Sequence, residues 1–166
     1  MKIIHINYSD IKGGAGRAAY RIHNSLLNEN IDSLMWVNKV FSKDITIRGP
    51  SNKVAKIFAL TKAYLIHFLI KLFKPSIHSP SVLPSRWLNQ INSSDADIIH
   101  LHWVQGEMLS ISDIGKIQKP IVWTLHDMWA FCGAEHYSDN YFWRDGYNSS
   151  NRINLKCSFD LNKWTW

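Results

Sequence analysis

A glycine-rich segment between a predicted strand and a predicted helix constrains the fold of this chain most. Residues 2–7 are β-branched and apolar enough for a partly buried strand, and small or apolar residues recur at helical spacing over 18–27. Gly13, Gly14 and Gly16 lie between them. Such a turn directs backbone N–H groups and the positive end of the helix dipole at one point, which suits an anion. A tight turn that binds nothing explains the same glycines.

The glycines also match part of a cofactor-binding pattern. Gly14, Gly16 and Ala19 fit G-x-G-x-x-A, the looser form of the dinucleotide fingerprint. The fingerprint requires an acidic residue about 20 residues further on, at the end of the second strand, to hold the ribose. Asp32 precedes the predicted second strand and Asp44 lies well past it. An NAD(P)-binding oxidoreductase is therefore the alternative function.

Composition places the chain among globular domains that meet anionic partners. Its 166 residues, 46% of them hydrophobic and 13% aromatic, suffice for one domain with a proper core. The net charge of +6 favours a phosphorylated substrate, a phospholipid surface or nucleic acid as partner. Cys132 and Cys157 show no C-x-x-C spacing, so no zinc site or disulfide framework is indicated. Met1 leads directly into the first strand without a signal peptide, which predicts a cytoplasmic protein.

Strand and helix patterns alternate along the chain. Strands are predicted at 2–7, 33–37, 44–48, 97–102 and 120–126, and the last two are expected to be buried because they are apolar runs. Helices are predicted after the glycine turn and at 53–73, 86–91 and 110–117, the last with Ser110 as N-cap and Asp113 in its first turn. Strands separated by helices form parallel βαβ units. The predicted fold class is therefore α/β, with a doubly wound, mostly parallel, Rossmann-like sheet.

Three polar clusters follow the predicted strands of this sheet. They are residues 13–17 after the first strand, His102 and Trp103 after the third main strand, and His126 and Asp127 after the fourth. Ligands of doubly wound sheets bind beyond the carboxyl ends of the strands, so the three clusters are predicted to meet there. Each cluster alone also has a structural explanation, as a core histidine or as a cap of the next turn.

Three segments in the same order resemble a known family. Residues 12–23 (KGGAGRAAYRIH), 97–103 (DIIHLHW) and 120–137 (PIVWTLHDMWAFCGAEHY) are similar to the amino-terminal half of bacterial family 4 glycosyltransferases. The closest type assembles O-antigen, capsule and exopolysaccharide. The resemblance implies a GT-B enzyme that transfers a sugar from a nucleotide-sugar donor to a lipid-linked saccharide, as in lipopolysaccharide biosynthesis. It also implies retention of anomeric configuration, with no metal and no cofactor.

The resemblance assigns roles to the glycine segment. Gly13, Gly14 and Gly16 are expected to let the backbone approach the donor diphosphate or the acceptor across the cleft. Arg17 is expected to add positive charge to the same substrate-binding region.

It also assigns roles to the strand-end side chains. His126 resembles the cleft histidine of the family, which contacts the transferred sugar or the acceptor, and Asp127 is expected to orient the imidazole or to accept a proton. His102 and Trp103 are expected to bind substrate, and Trp103 or Trp129 to stack on a sugar face. Weaker candidates are Glu135 and His136.

The resemblance covers the acceptor-side domain alone. The donor-binding half of the family carries an E-x7-E motif, and residues 1–166 contain no such pair of glutamates. One acceptor-side domain with an irregular tail from about residue 137 is therefore expected. The chain is expected to be a truncated product or one half of a split enzyme, inactive alone.

The predicted helix at 53–74 is both basic and apolar. Its cations and one histidine gather on one face at 100° per residue: Lys53, Lys56, His67, Lys71 and Lys74. Lys62 and His67 interrupt the apolar stretch and argue against a transmembrane span. The pattern favours peripheral contact with an anionic membrane at the inner face of the bacterial plasma membrane, without nucleic acid. A core helix with a solvated edge and a non-catalytic membrane-associated interaction module remain alternatives.

Overall fold

The chain forms a five-stranded parallel sheet with helices on both faces. The computed structural model describes residues 1–73, 78–138, 142–146 and 161–165. The strands are β1 (Lys2–Ser9), β2 (Asp32–Lys39), β3 (Ile47–Arg48), β4 (Ile98–Leu101) and β5 (Ile121–Trp123). The helices are α1 (Gly13–Asn28), α2 (Lys53–Phe73), α3 (Trp87–Asn92), α4 (Ile111–Ile114), α5 (Phe142–Asp145) and α6 (Leu161–Thr165).

The strand order is β3-β2-β1-β4-β5, and all four pairings are parallel. This order is that of the Rossmann-type doubly wound sheet. The predicted α/β class is confirmed.

Side chains of β1 alternate between two different faces of the sheet. Ile4 and Ile6 enter an apolar core that also contains Trp87 and Ile91 of α3. His5 lies on the opposite face, beside Met35 of β2, its register partner. The second core cluster is on that face and consists of Ala19, Met35, Val37 and Ile47, with Tyr20 packed against it. One face is thus purely apolar at its centre, and the other carries polar rings.

The start of α1 packs closely against the end of β1. A Cβ atom added to Gly16 would lie 3.1 Å from the carbonyl oxygens of Ser9 and Asp10 and from Ser9 Oγ. Gly13 has a φ of +77°, which favours glycine. A Cβ on Gly14 would meet nothing within 4 Å. The glycine needed for helix–strand packing is therefore Gly16, whereas Gly14 borders open space.

Most predicted elements are present, with shifted ends. The predicted bounds of α2 match the structure, and α4 has the predicted N-cap at Ser110, with a capping box formed by Asp113. The prediction that β5 is a buried strand is wrong: Ile121 and Val122 are 40% and 48% exposed. β5 is the last strand of the sheet, so one of its edges lacks the neighbour that a central strand has. Two short helices, α5 and α6, lie in the tail predicted to be irregular.

The structure also bears on membrane insertion. Within the part of the chain that the structure describes, none of the helices combines the length and hydropathy that a membrane crossing requires.

Substitutions of two glycines test the helix–strand packing. Gly16→Ala is expected to lower the free energy of unfolding by about 1–3 kcal/mol, because the new Cβ forces apart backbone that cannot easily move. Gly14→Ala is the matched control and should leave stability unchanged or raise it by up to about 1 kcal/mol, through helix propensity. Urea unfolding measures both, and equal effects would contradict the packing role of Gly16.

Candidate functional site

The loops that follow β1, β4 and β5 border one cleft of about 370 Å³ at the carboxyl edge of the sheet. The residues that line it are Asn7, Tyr8, Ser9, Lys12, Gly13, Gly14, Ala15, Gly16, Trp103, His126, Asp127 and Tyr137. Members of all three polar clusters singled out in the sequence therefore line the same cleft.

The amino-terminal end of α1 forms one wall of the cleft. Lys12, the N-cap residue, makes no side-chain capping hydrogen bond, and the first turn of α1 contains no acidic residue. The first backbone N–H groups of a helix have no intrahelical partner, and the helix dipole adds positive potential at this end. This wall therefore suits a phosphate or another anion, and Gly14 leaves room for close approach.

The cation at this wall of the cleft is Lys12, whereas the sequence predicted Arg17. Arg17 is exposed on α1 and is not among the residues that line the cleft. Lys12 is among them, and its Nζ lies 4.5 Å from the centroid of the Phe41 ring. Lys12 could have been predicted as the cation of this wall from the sequence, because Lys12 directly precedes Gly13, the first glycine of the turn.

His126 rests on a buried histidine. Its Nε2 is hydrogen-bonded to Nδ1 of His102 at 3.1 Å, and Nε2 of His102 is hydrogen-bonded to Nδ1 of His5 at 3.0 Å. His102 is 1% exposed, so it does not reach a ligand in the cleft, contrary to its predicted substrate contact. Instead, His102 positions the His126 ring.

Burial determines the charge of His126. It lowers the pKa of His126, and the nearby Asp127 carboxylate raises it only in part. The ring is therefore neutral at pH 7, with one nitrogen that donates and one that accepts. Because Nε2 is bonded to His102, a ligand in the cleft would meet Nδ1.

The Asp127 carboxylate is surrounded by donors and does not orient His126. It accepts hydrogen bonds from Trp103 Nε1 at 2.8 Å, from Gln105 Nε2 at 3.1 Å and from the Trp129 N–H at 3.1 Å, and is bonded to His136 Nδ1 at 2.7 Å. Burial raises the pKa of Asp127, but bonds from His136, the Trp129 N–H and Trp103 outweigh it and hold the pKa below its ordinary value. A carboxylate with a low pKa and this many donors is a poor base and a strong anchor.

His136 completes a buried relay. Its Nε2 lies 2.8 Å from Ser79 Oγ, opposite the bond to Asp127, and its ring stacks on Trp103 with centroids 5.5 Å apart. Ser79 is 9% exposed, its N–H donates to Ala134 O at 2.9 Å, and its carbonyl accepts from Trp129 Nε1 at 2.7 Å. Serine, histidine and aspartate thus have the order of a nucleophilic triad, yet the serine is enclosed by the chain itself. The relay ties the loop at 127–136 to the segment at 78–81.

Two other candidates, Trp129 and Glu135, are not among the residues that line the cleft. Trp129 is 3% exposed, so it cannot stack on a sugar face. The predicted stacking role of Trp129 is therefore wrong. Glu135 Oε1 lies 3.8 Å from Nε2 of His78, and Cys132 is buried. Cys157 falls outside the described residues.

Two aromatic residues of the cleft were missed by sequence reasoning. Tyr8 directly follows the predicted first strand, and its ring meets that of Trp103 edge-on at 5.6 Å. Tyr137 is 71% exposed and lines the cleft from the segment after His136. The position of Tyr8 at a strand end was the available signal, whereas nothing local distinguishes Tyr137.

A set of histidines lies below the cleft. His5, His100 and His102 each offer a ligand nitrogen, and these nitrogens lie within 4.8 Å of one another. Among the described residues this is the group of histidine, cysteine and acidic side chains compact enough to share a metal ion.

Comparison with protein-family models, with curated proteins and with solved structures finds no match to this chain. The function is therefore argued from the cleft itself.

Replacing the anchor tests the architecture of the cleft. Asp127→Asn is expected to lower the free energy of unfolding at pH 7 by about 2–3 kcal/mol, because charge-assisted bonds to His136 and Trp103 are lost. Asp145→Asn, at an exposed position of α5, is the control and should have little effect.

The pH dependence gives a second readout. Because the folded-state pKa of Asp127 lies below the unfolded value of about 3.9, its contribution is complete above about pH 4 and is lost as the pH falls further. Urea unfolding should therefore show the gap between wild type and Asp127→Asn closing in acid. A gap that stays constant down to pH 3 would contradict the anchoring role.

Proposed function

We propose that this chain is the acceptor-side domain of a glycosyltransferase, an enzyme that moves a sugar from a nucleotide-sugar donor to a lipid-linked saccharide. The observation that carries the proposal is the convergence of the α1 amino-terminal end, Trp103 and His126 on one cleft at the carboxyl edge of the sheet. The three segments that resemble family 4 glycosyltransferases contribute all three of these features.

The chemistry of the cleft suits a glycosylated diphosphate. The first N–H groups of α1 and the Lys12 ammonium provide positive potential for phosphate oxygens. Tyr8, Trp103 and Tyr137 provide aromatic surface for a sugar ring. In this proposal the neutral His126 bonds a sugar hydroxyl through Nδ1, while Asp127 keeps the surrounding loop in place rather than taking a proton.

The alternative NAD(P) oxidoreductase is less well supported by the second strand. β2 ends at Lys39, so a cation occupies the position where an acidic residue would hold the ribose of NAD. Asp32 lies at the opposite end of β2, and Asp44 bonds Thr46 and the Tyr20 hydroxyl. Among the residues that the structure describes, these carboxylates are thus not at the position that would hold the ribose.

We also propose that α2 docks the protein on an anionic membrane surface at the cytoplasmic side, where lipid-linked acceptors are reached. Six apolar or aromatic residues, all more than half exposed, lie within about a third of the helix circumference: Val54, Ile57, Phe58, Tyr64, Leu65 and Phe68. Lys53 is exposed at the start of α2. Lys62 is half-buried and donates to the carbonyls of Leu83 and Pro84, which holds α2 against the domain.

The apolar face, more than the predicted basic face, therefore supports membrane contact. Of the predicted basic face, Lys74 lies outside the described residues, and the side chains of Lys56, His67 and Lys71 are not among those described. An exposed apolar face flanked by cations is the pattern of an interfacial helix, and the chain's net charge of +6 complements anionic lipid.

Transfer assays test the function. The chain is combined with a donor-binding domain and supplied with a panel of nucleotide sugars and a polyprenyl-diphosphate saccharide. His126→Gln should lower turnover about 10²-fold, because the amide keeps a bond to His102 but removes the nitrogen available to the sugar. Unchanged unfolding by urea shows that the loss is not structural. NADH binding by the chain together with absence of any sugar transfer would contradict the proposal and favour the oxidoreductase.

Vesicle sedimentation tests the membrane contact. The triple substitution Ile57→Ser, Leu65→Ser and Phe68→Ser should weaken binding to phosphatidylglycerol vesicles at least about tenfold, because the apolar area available for burial is reduced. Ile45→Ser is the control, since Ile45 is 98% exposed and lies outside α2. Added salt should weaken wild-type binding as well. Equal sedimentation of the triple variant and the wild type would favour a different partner for this face.

A further inference from the structure

A row of histidines crosses the sheet beneath the cleft. His100 and His102 are separated by one residue at the end of β4, so both project to the same face, and His5 is the β1 register partner of His100. Three imidazoles from two adjacent strands therefore converge on the face that α1 partly covers.

The distances within the row are short. The ring centroids of His100 and His102 lie 4.2 Å apart, those of His5 and His100 4.9 Å, and those of His5 and His102 5.3 Å. One nitrogen from each ring lies within 4.8 Å of the other two. Tetrahedral zinc with Zn–N bonds of about 2.0–2.1 Å places ligand nitrogens about 3.3 Å apart. The rings are inclined to one another by 27–37°, so their side chains must rotate to direct three nitrogens at one ion.

The rings have the protonation state that a metal requires. Burial lowers the pKa of His5 to about 3, with further lowering by His100 and His23. Burial together with His100, His5 and His126 lowers the pKa of His102 to about 2. Neutral imidazoles with a lone pair are the form that binds transition metals.

One atom of the row lacks a partner. His5 is fully buried, and its Nε2 makes no hydrogen bond. Buried polar side-chain atoms usually have a hydrogen-bond partner, and an exception needs an explanation such as an ion. This atom is a second observation, independent of the spacing, that indicates a ligand.

The outer nitrogens of the other two rings are already held. His102 Nδ1 bonds His126 Nε2 at 3.1 Å, and His100 Nε2 bonds Thr124 Oγ1 at 2.8 Å. Metal-ligating histidines characteristically give their second nitrogen to such a partner, which fixes ring orientation and tautomer.

We infer that His5, His100 and His102 bind one divalent transition-metal ion, with zinc as the reference metal. Three imidazole ligands and an open fourth position form an established zinc coordination set. With its Nδ1 bonded to His126, His102 contributes Nε2, the nitrogen 3.0 Å from His5 Nδ1. His5 contributes Nε2, its nitrogen without a hydrogen-bond partner, and His100 contributes Nδ1, because its Nε2 bonds Thr124 Oγ1. On metal binding, His102 Nε2 exchanges its hydrogen bond to His5 Nδ1 for the metal.

The ion has a positioning role toward the cleft. Metal on Nε2 of His102 places the proton of this ring on Nδ1, so that His126 Nε2 must accept and His126 carries its own proton on Nδ1. The observations that support the metal site are separate from those that support the proposed sugar transfer, in which the ion does not contact the substrate. Absence of transfer activity would therefore leave the metal site untouched, and absence of metal would leave the transfer proposal untouched.

Metal binding to the full chain, purified without a histidine tag and stripped with a chelator, tests the inference. One zinc ion per chain is expected by elemental analysis after dialysis. Cobalt should produce the visible d–d absorption of a four-coordinate site, and zinc should displace it.

Variants identify the ligands. His100→Gln and His102→Gln should each weaken zinc binding at least about tenfold and abolish the cobalt spectrum. His78→Gln, which removes a buried histidine outside the triad, should behave as wild type. His100 is only half-buried, so His100→Gln carries the test if His102→Gln fails to fold.

Thermal unfolding gives an independent readout. Zinc should raise the unfolding midpoint of the wild type and of His78→Gln, and should not raise that of His100→Gln. Wild-type protein that binds no zinc, or His100→Gln that binds zinc as tightly as the wild type, would overturn the inference. The three rings would then form a neutral hydrogen-bonded network.

Discussion

The parallel pairing of β1 with β2 on one side and with β4 on the other sets the positions of the functional side chains. Parallel strands end at the same edge of a sheet, so the segments that follow them meet there. Gly16 allows α1 to begin directly against the carbonyls at the end of β1. The helix terminus, Trp103 and His126 consequently surround one cleft, although they are distant in the sequence.

The polar groups near this cleft form two layers with different tasks. The residues at the surface, above all Lys12 and His126, are placed to meet a ligand. The residues of the lower layer keep these surface residues in position. Asp127 is hydrogen-bonded to donors from three segments, and His102 is hydrogen-bonded to His126. A low dielectric makes each buried polar bond strong and each missing one costly, so the lower layer is rigid where the upper layer must stay accessible.

The proposed functions of the domain are physically compatible. In the proposed function, a lipid-linked acceptor would present its diphosphate at the membrane surface, and the exposed apolar face of α2 would contact that surface. The cleft offers helix N–H groups and Lys12 to such a diphosphate. The histidine row lies below, where the inferred metal ion would set the tautomer of His126 without facing the substrate.

Sequence reasoning predicted the fold well, because local patterns carry it. Alternating strand and helix periodicity gave the α/β class, and α2 has the predicted bounds from Lys53 to Phe73. The N-cap at Ser110 was predicted correctly because capping depends on neighbouring residues, and the structure shows that Asp113 completes a capping box. β5 was wrongly predicted to be buried, since an apolar run does not reveal whether a strand is central or at the edge.

The candidate site also has features that the sequence predicted and features that depend on the tertiary structure. The sequence by itself determined which side chains follow the strands, because chain order and parallel topology place 13–17, Trp103, His126 and Asp127 at one edge. Only the tertiary structure decided that Asp127 bonds His136 instead of His126, because that contact depends on how a loop folds back. It alone also decided that His5 faces His100, because the register between two strands that are distant in the sequence is set by packing across the whole sheet.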